Sequence, residues 1–325
     1  GVSQLNQDKE ITVANRLDKR EAKKRIHIEA HKIVLLSAIT SILSLFIFSY
    51  AARKSGSETF GKQIVIISIS YFIAVLMDFG GSTYFIRELT SDRMSLQKYY
   101  LTIFKKIQIQ CVFLIAPFVY FLFSREFRVI EVFLLSFLIY LNLILNVVQR
   151  SRGHTSYPLK ISLIERLISL TILLLSVFLK IDVSLVNIFI LSYLFCLFVQ
   201  ISVFKCEIFY QSDSDSVGNP FLGTFSLGVS SLISTFQSLD IAILGMISGS
   251  INAGIYGSVS RWTNSLGMFT SAFSQAVMPY ISGGFTWVDK GKEILKASYL
   301  LVVSILCCLL LIFFSNKIVL LLLGQ

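Results

Sequence analysis

Ionisable residues inside long apolar runs are the part of this sequence best suited to chemistry. Asp78, Glu165 and Asp240 each lie within such a run, where a charge is costly and therefore marks a functional candidate. A carboxylate in an apolar span can bind a proton or a cation, so the three residues predict an ion-coupling role. For Asp78, the alternative is a structural partnership with a nearby arginine such as Arg87.

Two arginines within apolar runs predict contacts to an anion. Arg166 directly follows Glu165, and Arg261 lies about two helical turns into a later run, and a guanidinium matches phosphate oxygens well. Adjacent helical residues lie about 100° apart, so we expect Glu165 and Arg166 to face different surroundings. An ion pair near the cytoplasmic interface is the alternative. Arg261 has an alternative too, a structural pair with Asp240 at similar depth in the preceding span.

Neutral polar residues extend this set along two predicted helices. Asn142 and Asn146 are four residues apart and share one helical face, and Asn264 follows Arg261 by three residues. The spacing favours a polar stripe that faces a wet cavity. Packing of polar side chains between helices is the alternative.

Composition indicates where these residues must sit. Of 325 residues, 54% are hydrophobic and 15% are charged, whereas a soluble domain carries about 25% charged residues. The charges are too few to cover a globular surface in water, so the sequence predicts an all-α polytopic membrane protein. The net charge of +10 does not indicate a nucleic-acid partner, because the basic residues lie between apolar runs.

Nine apolar runs have the length of a membrane span, which is about 20 residues. They cover 33–51, 63–85, 101–123, 129–148, 159–179, 183–205, 221–248, 255–280 and 294–315, and a tenth begins at Lys317. With the first 32 residues on the cytoplasmic side, nineteen basic residues lie inside and seven outside, which predicts a cytoplasmic N-terminus. Lys105 and Lys106 are counted with the inner side.

The first 32 residues predict a basic helix on the cytoplasmic membrane surface, attracted by anionic lipids. His27 and His31 lie four residues apart in this leader, but no third ligand is evident, so no metal site is predicted. The five cysteines lack metal-site spacing and indicate apolar packing.

An aromatic-glycine pair recurs in two turns that follow apolar runs. Phe60-Gly61 and Tyr256-Gly257 are offset by about 196 residues. Adding this offset to the bounds of the first apolar run places it within the seventh. An even number of spans separates the two copies, so the sequence predicts a parallel repeat about an axis along the membrane normal.

The repeat predicts four segments: a basic leader over 1–32, a six-helix lobe over 33–205, a cytoplasmic linker over 206–220 and an incomplete second lobe over 221–325. A second lobe as long as the first would reach about residue 400. We therefore expect two to three further spans beyond this chain, with about three to four in the part present.

Several motifs in order resemble Wzx-type flippases of O-antigen and polysaccharide. The resemblance rests on Phe60-Gly61, Asp78-Phe79-Gly80, Arg87-Glu88-Leu89, the run Asp240-Ile241-Ala242-Ile243-Leu244-Gly245, Ala253-Gly254-Ile255-Tyr256, and the closing Leu323-Gly324. These flippases belong to the multidrug/oligosaccharidyl-lipid/polysaccharide exporter superfamily. The resemblance covers 33–325, and the long basic leader departs from the family pattern.

The resemblance implies a two-bundle fold in the cytoplasmic (inner) membrane. It also implies alternating access through a central cationic cavity that carries a polyprenyl-diphosphate-linked oligosaccharide, with no cofactor. Membrane lipids, a glycan polymerase and chain-length proteins are the further partners expected. The sequence has no nucleotide-binding GxxxxGK[ST] motif, so the three carboxylates suggest coupling to an ion gradient.

Two other functions remain open. One is another exporter of the same superfamily, moving lipid II or drugs. The other, less favoured, is a membrane enzyme that polymerises or ligates glycans, because such enzymes need a sizeable outer loop and the predicted outer loops here are short.

Overall fold

A computed structural model describes the backbone of residues 2–91, 93–124, 127–152, 154, 156–204, 221, 223–260, 302, 306 and 309. Side chains are described from residue 32 onward, except for 34, 112–127, 203–204 and 237–238. The chain forms two compact units, 1–41 with 263–315 and 42–262 with 316–325. The described part of the first unit is mainly the start of a long helix, and the contacts given below lie within the second.

The described residues form helices and turns, without a strand. The helices are α1 (Val2–Asp78), α2 (Gly81–Thr90), α3 (Leu96–Ser124), α4 (Phe127–Ser151), α5 (Tyr157–Phe178), α6 (Leu185–Phe204), α7 (Phe225–Thr235), a 3₁₀ turn (Phe236–Leu239), α8 (Asp240–Ser248) and α9, described over 250–260. Helices satisfy their backbone hydrogen bonds internally, which a lipid environment requires.

Four described segments are long and apolar enough to span a membrane, or five if α7 and α8 form one span bent by 49°. They are Leu35–Asp78, Arg128–Ser151, Tyr157–Phe178 and Leu185–Ser202. The first has 44 residues, or about 66 Å of helix, twice the roughly 30 Å of bilayer hydrocarbon. Gly56 interrupts it with φ 74°, so it accommodates the two predicted spans. The chain is therefore an all-α polytopic membrane protein, as predicted.

Helix α4 lies at the centre of the packing and contacts α2, α3, α5 and α6. Leu135, Tyr140 and Val147 of α4 are almost wholly buried in this core. Large apolar side chains on the outward faces remain exposed, among them Phe178 at 84% and Phe198 at 71%. An apolar outer surface around a packed interior suits a helix bundle surrounded by lipid.

Two predicted spans have different bounds in the structure. The run 63–85 is interrupted, because α1 ends at Asp78 and α2 begins at Gly81. The run 221–248 is bent at the 3₁₀ turn that separates α7 from α8. Most of 255–280 and 294–315, together with the linker 206–220, lies outside the described residues, so the lobe boundaries stay a prediction.

Candidate functional site

The break between α1 and α2 brings the first candidate carboxylate into the bundle interior. Phe79 and Gly80 turn the chain with φ 42° and 70°, and Asp78 is buried just before them. Its carboxylate accepts hydrogen bonds from Ser82, at 3.0 and 3.2 Å from the amide and 2.9 Å from the hydroxyl. A carboxylate there satisfies an otherwise unpaired amide and interacts favourably with the positive end of α2.

Lys106 of α3 is the cation nearest this break, and it is 0% exposed. Its Nζ donates a 2.5 Å hydrogen bond to the main-chain oxygen of Asp78. The ammonium also lies 5.8 Å from the ring centroid of Tyr140 and 5.5 Å from that of Phe221. Gly81 leaves room for the ammonium, because a Cβ at this position would lie 2.6 Å from Nζ. We call these five residues the Lys106 site.

Helix α3 satisfies the C-terminal carbonyls of α1 inside the protein. Besides the bond from Lys106, Gln110 Nε2 donates to the main-chain oxygen of Met77 at 2.5 Å. The last carbonyls of a helix have no partner within it, and a cation there also complements the helix dipole. The buried lysine therefore has a structural reason, namely that α1 ends in the interior rather than at a surface.

The prediction that Arg87 would partner Asp78 is wrong in this structure. Arg87 is exposed and lies 3.6 Å from Glu88, whereas Lys106 is the base whose charge acts on Asp78. Counting Lys106 with the cytoplasmic loops was also wrong, because it lies about three turns into α3. Lys106 lies on a buried face of α3, whose residues follow helical spacing. They are Tyr99, Thr102, Ile103, Lys106 and Gln110.

The second candidate cluster pairs two neighbouring residues of α5. Glu165 Oε1 lies 3.2 Å from Arg166 Nη1, and the guanidinium carbon lies 5.0 Å from the Phe189 ring centroid. The Glu165 side chain is 4% exposed and that of Arg166 is 21% exposed. The expectation that they face different surroundings is therefore wrong, since long side chains on adjacent positions can bend together. Next to them, Ser169 donates to Ser192 across α5 and α6 at 2.8 Å.

The predicted asparagine face lies on α4, as expected, and contacts α6. Gln200 Nε2 donates to Asn142 Oδ1 at 2.5 Å, and Asn142 Nδ2 donates to Leu138 at 2.9 Å. These contacts match the packing alternative for Asn142. The buried Oδ1 of Asn146 has no hydrogen-bond partner within the described part of the chain, so it retains the capacity to accept one.

The third candidate carboxylate is exposed, in contrast to the other two. Asp240 is the first residue of α8, where its side chain accepts bonds from the Ile241 amide at 2.6 Å and the Tyr256 hydroxyl at 2.7 Å. Arg261 and Asn264 lie outside the described residues, so the Asp240–Arg261 pair and the stripe on the eighth span stay predictions.

The two segments that carry the repeated aromatic-glycine pairs are helical at these pairs, rather than turns as predicted, and they lie in contact with each other. A Cβ on Gly61 would overlap the main-chain oxygen of Ser250, and one on Gly254 would overlap that of Ser57. Both helices thus carry a small residue every fourth position at the contact, as Ser57-x-x-x-Gly61 and Ser250-x-x-x-Gly254, a spacing that lets backbones approach closely in membranes. We call these four residues the first seam.

A second close approach lies at the other end of the 57–78 segment. A Cβ on Gly80 would overlap the amide of Gly228 in α7, and one on Gly228 would lie 2.7 Å from the Phe79 ring. We call Phe79, Gly80, Leu227 and Gly228 the second seam. The segment is therefore held at both ends by helices from after the predicted linker.

Comparison with known proteins identifies the fold. No protein-family model and no curated protein matches the chain. A solved structure does: the MATE multidrug transporter DinF-BH, solved as a complex, with a TM-score of 0.60 and 14% identity over 93% of this chain and 74% of that one. The chain has a MATE-like fold. At this identity the likeness shows the fold alone and does not extend to Wzx-type specificity.

Proposed function

We propose that this protein is a transporter that moves a polyprenyl-diphosphate-linked oligosaccharide across the cytoplasmic membrane by alternating access. The observation that carries the proposal is the pair of glycine seams on a MATE-like fold. The N-terminus lies in the cytoplasm in this proposal, and the glycan polymerase and chain-length proteins act on the transported product.

The seams suit a protein whose halves separate and rejoin. The first seam brings backbone atoms together at glycine, so it requires no large side chain to disengage when the helices part, whereas the second seam also packs the Phe79 ring on Gly228. Alternating access needs one end of the 57–78 segment to stay closed while the other opens. In this proposal, the first seam and the second seam serve as these two contacts.

The described charges favour an anionic substrate. Asp78 and Glu165 lie beside Lys106 and Arg166, so their negative charge is compensated. Arg166 is partly exposed and, with Arg261, would bind the diphosphate, while Asn142, Asn146 and Asn264 would bind the glycan. Asp78, Glu165 and Asp240 remain the proposed residues for coupling to an ion gradient.

Drug export is the second candidate, and Asp240 favours it. It is an exposed carboxylate flanked by apolar residues, and among described residues no basic side chain pairs with it. Such a group attracts a cation. The structural neighbour is itself a multidrug transporter, so this alternative needs a direct comparison of substrates.

Translocation in reconstituted vesicles tests the transport proposal. We expect the purified full chain to move a polyprenyl-diphosphate-linked oligosaccharide between leaflets, measured as the glycan fraction cleaved by an enzyme added outside. Gly254→Val should abolish movement, because its side chain would hold the first seam apart. Ile255→Leu, at the exposed neighbouring position, is the matched control. Equal transport by Gly254→Val and the wild type would refute the gating role of the first seam.

A further inference from the structure

The Lys106 ammonium is less fully paired than a buried charge usually is. An ammonium has three donors, and the hydrogen bond observed for Nζ is the one to the main-chain oxygen of Asp78. Among the described residues no carboxylate lies within ion-pair distance of it, although the charge of the Asp78 carboxylate acts on it. The remaining covers are the rings of Tyr140 and Phe221. Buried charges generally require a charged or multiply hydrogen-bonded partner, so this cation retains unused capacity to bind an anion.

One of the two rings beside the ammonium, that of Phe221, lies close in sequence to the second seam. Phe221 lies four residues before α7, and α7 packs against the α1–α2 turn at Gly228. Phe225 of α7 lies 6.1 Å from Phe79, between ring centroids. The stretch from Phe221 to Gly228 thus approaches the turn at several points. Separation at the second seam would therefore withdraw Phe221 from the ammonium.

Tyr140 and Asp78 would remain with Lys106 after such a movement. Tyr140 of α4 belongs to the packed core, and Asp78, at the end of α1, is buried and bound to Lys106 through its main-chain oxygen. The surface uncovered would hold a lysine ammonium with N–H donors to spare, 5.5 Å from where the centre of the Phe221 ring had been. Phosphate oxygens are strong acceptors for such donors.

We propose that Lys106 is a concealed anion-binding residue, covered by Phe221 when the second seam is closed and available to the diphosphate group of the substrate when it opens. This rests on the proposed transport of a diphosphate-linked lipid. The proposal adds Lys106, which the sequence predicts on the cytoplasmic side, to the residues that bind the substrate. It assigns Phe221 the role of a removable cover.

Binding measurements on the purified full chain in detergent test this role. The probes are a fluorescent polyprenyl diphosphate, the matching neutral polyprenol and inorganic pyrophosphate as competitor. Lys106→Met should weaken diphosphate binding about tenfold and leave polyprenol binding unchanged. Lys105→Met, at the exposed neighbour on the same helix, should bind as the wild type does, and Lys106→Arg should recover part of the loss.

A second pair of variants leaves the lysine in place. Phe221→Ala removes the cover and should tighten diphosphate binding about two- to fivefold, the scale of a lost cation–π contact. Phe198→Ala removes an exposed aromatic of α6 without uncovering Nζ and should have no such effect. If Lys106→Met does not fold, this pair decides, because equal affinities for both alanine variants and the wild type would overturn the proposal.

The outcomes separate this inference from the function on which it rests. If the wild type prefers the diphosphate lipid and folded Lys106→Met binds it equally well, the inference is wrong and the transport proposal stands. If the wild type binds the diphosphate lipid no better than polyprenol, the proposed function fails, and the inference with it. Competition by pyrophosphate at similar concentration would support the anion site and assign it to the free anion rather than to the lipid headgroup.

Discussion

The two buried charge clusters of this protein use the same residue classes in different ways. Glu165 and Arg166 are neighbours on α5 and form a direct ion pair at 3.2 Å. Asp78 and Lys106 come from separate helices, and each spends its hydrogen bonds on backbone or hydroxyl groups at the α1–α2 break. In the first cluster the two charges compensate each other directly, and Arg166 stays 21% exposed. The second cluster connects the two helices at the α1–α2 break and leaves hydrogen-bond donors of the Lys106 ammonium unused.

The difference separates a charge pair that is costly to break from a charge that can change partners more easily. A direct pair loses much if one member is removed, because the other remains buried and uncompensated. A lysine held by one carbonyl and two rings can exchange those contacts for an anion at lower cost. Lys106 also lies beside a seam, with Phe221 from the later helices against it.

Glu165→Ala should produce the largest loss of stability. It leaves the mostly buried guanidinium of Arg166 without its carboxylate, which costs about 3–5 kcal/mol. The free energy of unfolding in detergent micelles measures this. The double variant Glu165→Ala/Arg166→Ala should recover much of the loss, whereas simple addition of the two single effects would contradict a direct pair. Leu167→Ala, at an exposed neighbour, is the control.

Lys106→Met should cost about 3 kcal/mol, because a buried carbonyl loses its donor and Asp78 loses a nearby cation. A cycle with Asp78→Asn tests how directly the two side chains interact. Asparagine retains an acceptor for Ser82, so the cycle isolates the charge. We expect a smaller coupling energy than for Glu165 and Arg166, and a larger one would overturn the contrast between the clusters.

Gly81→Ala should cost about 1–2 kcal/mol through overpacking. Its Cβ would lie 2.6 Å from Lys106 Nζ and would push the ammonium from its place. The same substitution in a Lys106→Met background should cost less, because methionine has no ammonium to accommodate. Equal costs in both backgrounds, measured by the same unfolding assay, would show that Gly81 does not make room for the lysine.

Ser169→Ala should have the smallest effect, about 0.6 kcal/mol, the average for polar side-chain bonds between membrane helices. It removes the 2.8 Å bond to Ser192 beside the Glu165–Arg166 pair. Ser192 still donates to the Ile188 carbonyl at 2.7 Å, so no buried hydroxyl is stranded. A loss as large as that of Glu165→Ala would mean that the serines support the ion pair.

The helical spans were predictable, but several details of the site were not. Long apolar runs imply helices because lipid cannot satisfy backbone groups. The burial of Asp78 and Glu165 matches their place in such runs, whereas Asp240, in a run of the same kind, is exposed. Lys106 was missed because a lysine near a predicted span end is usually a topology signal. Its buried helical face, shared with Tyr99 and Gln110, was the signal that could have found it.

Other details depend on three-dimensional contacts that local sequence does not encode. The break at Phe79-Gly80 is fixed by α3 donating to the carbonyls of α1 and by α7 packing on Gly80. The pairing of Glu165 with Arg166 depends on side-chain bending rather than on helical angle. The two seams are partly visible in sequence, because each helix of the first carries small residues four apart.

The most direct test of the account is a side-by-side transport measurement on the wild-type chain in vesicles. One set contains a polyprenyl-diphosphate-linked oligosaccharide, and the other contains the cationic dye ethidium as a drug probe, with and without a proton or sodium gradient. We predict that the oligosaccharide changes leaflets at a rate well above that of protein-free vesicles and that ethidium does not cross faster than in those vesicles. Gradient-driven ethidium transport with no movement of the oligosaccharide would contradict the account and establish the drug-export alternative.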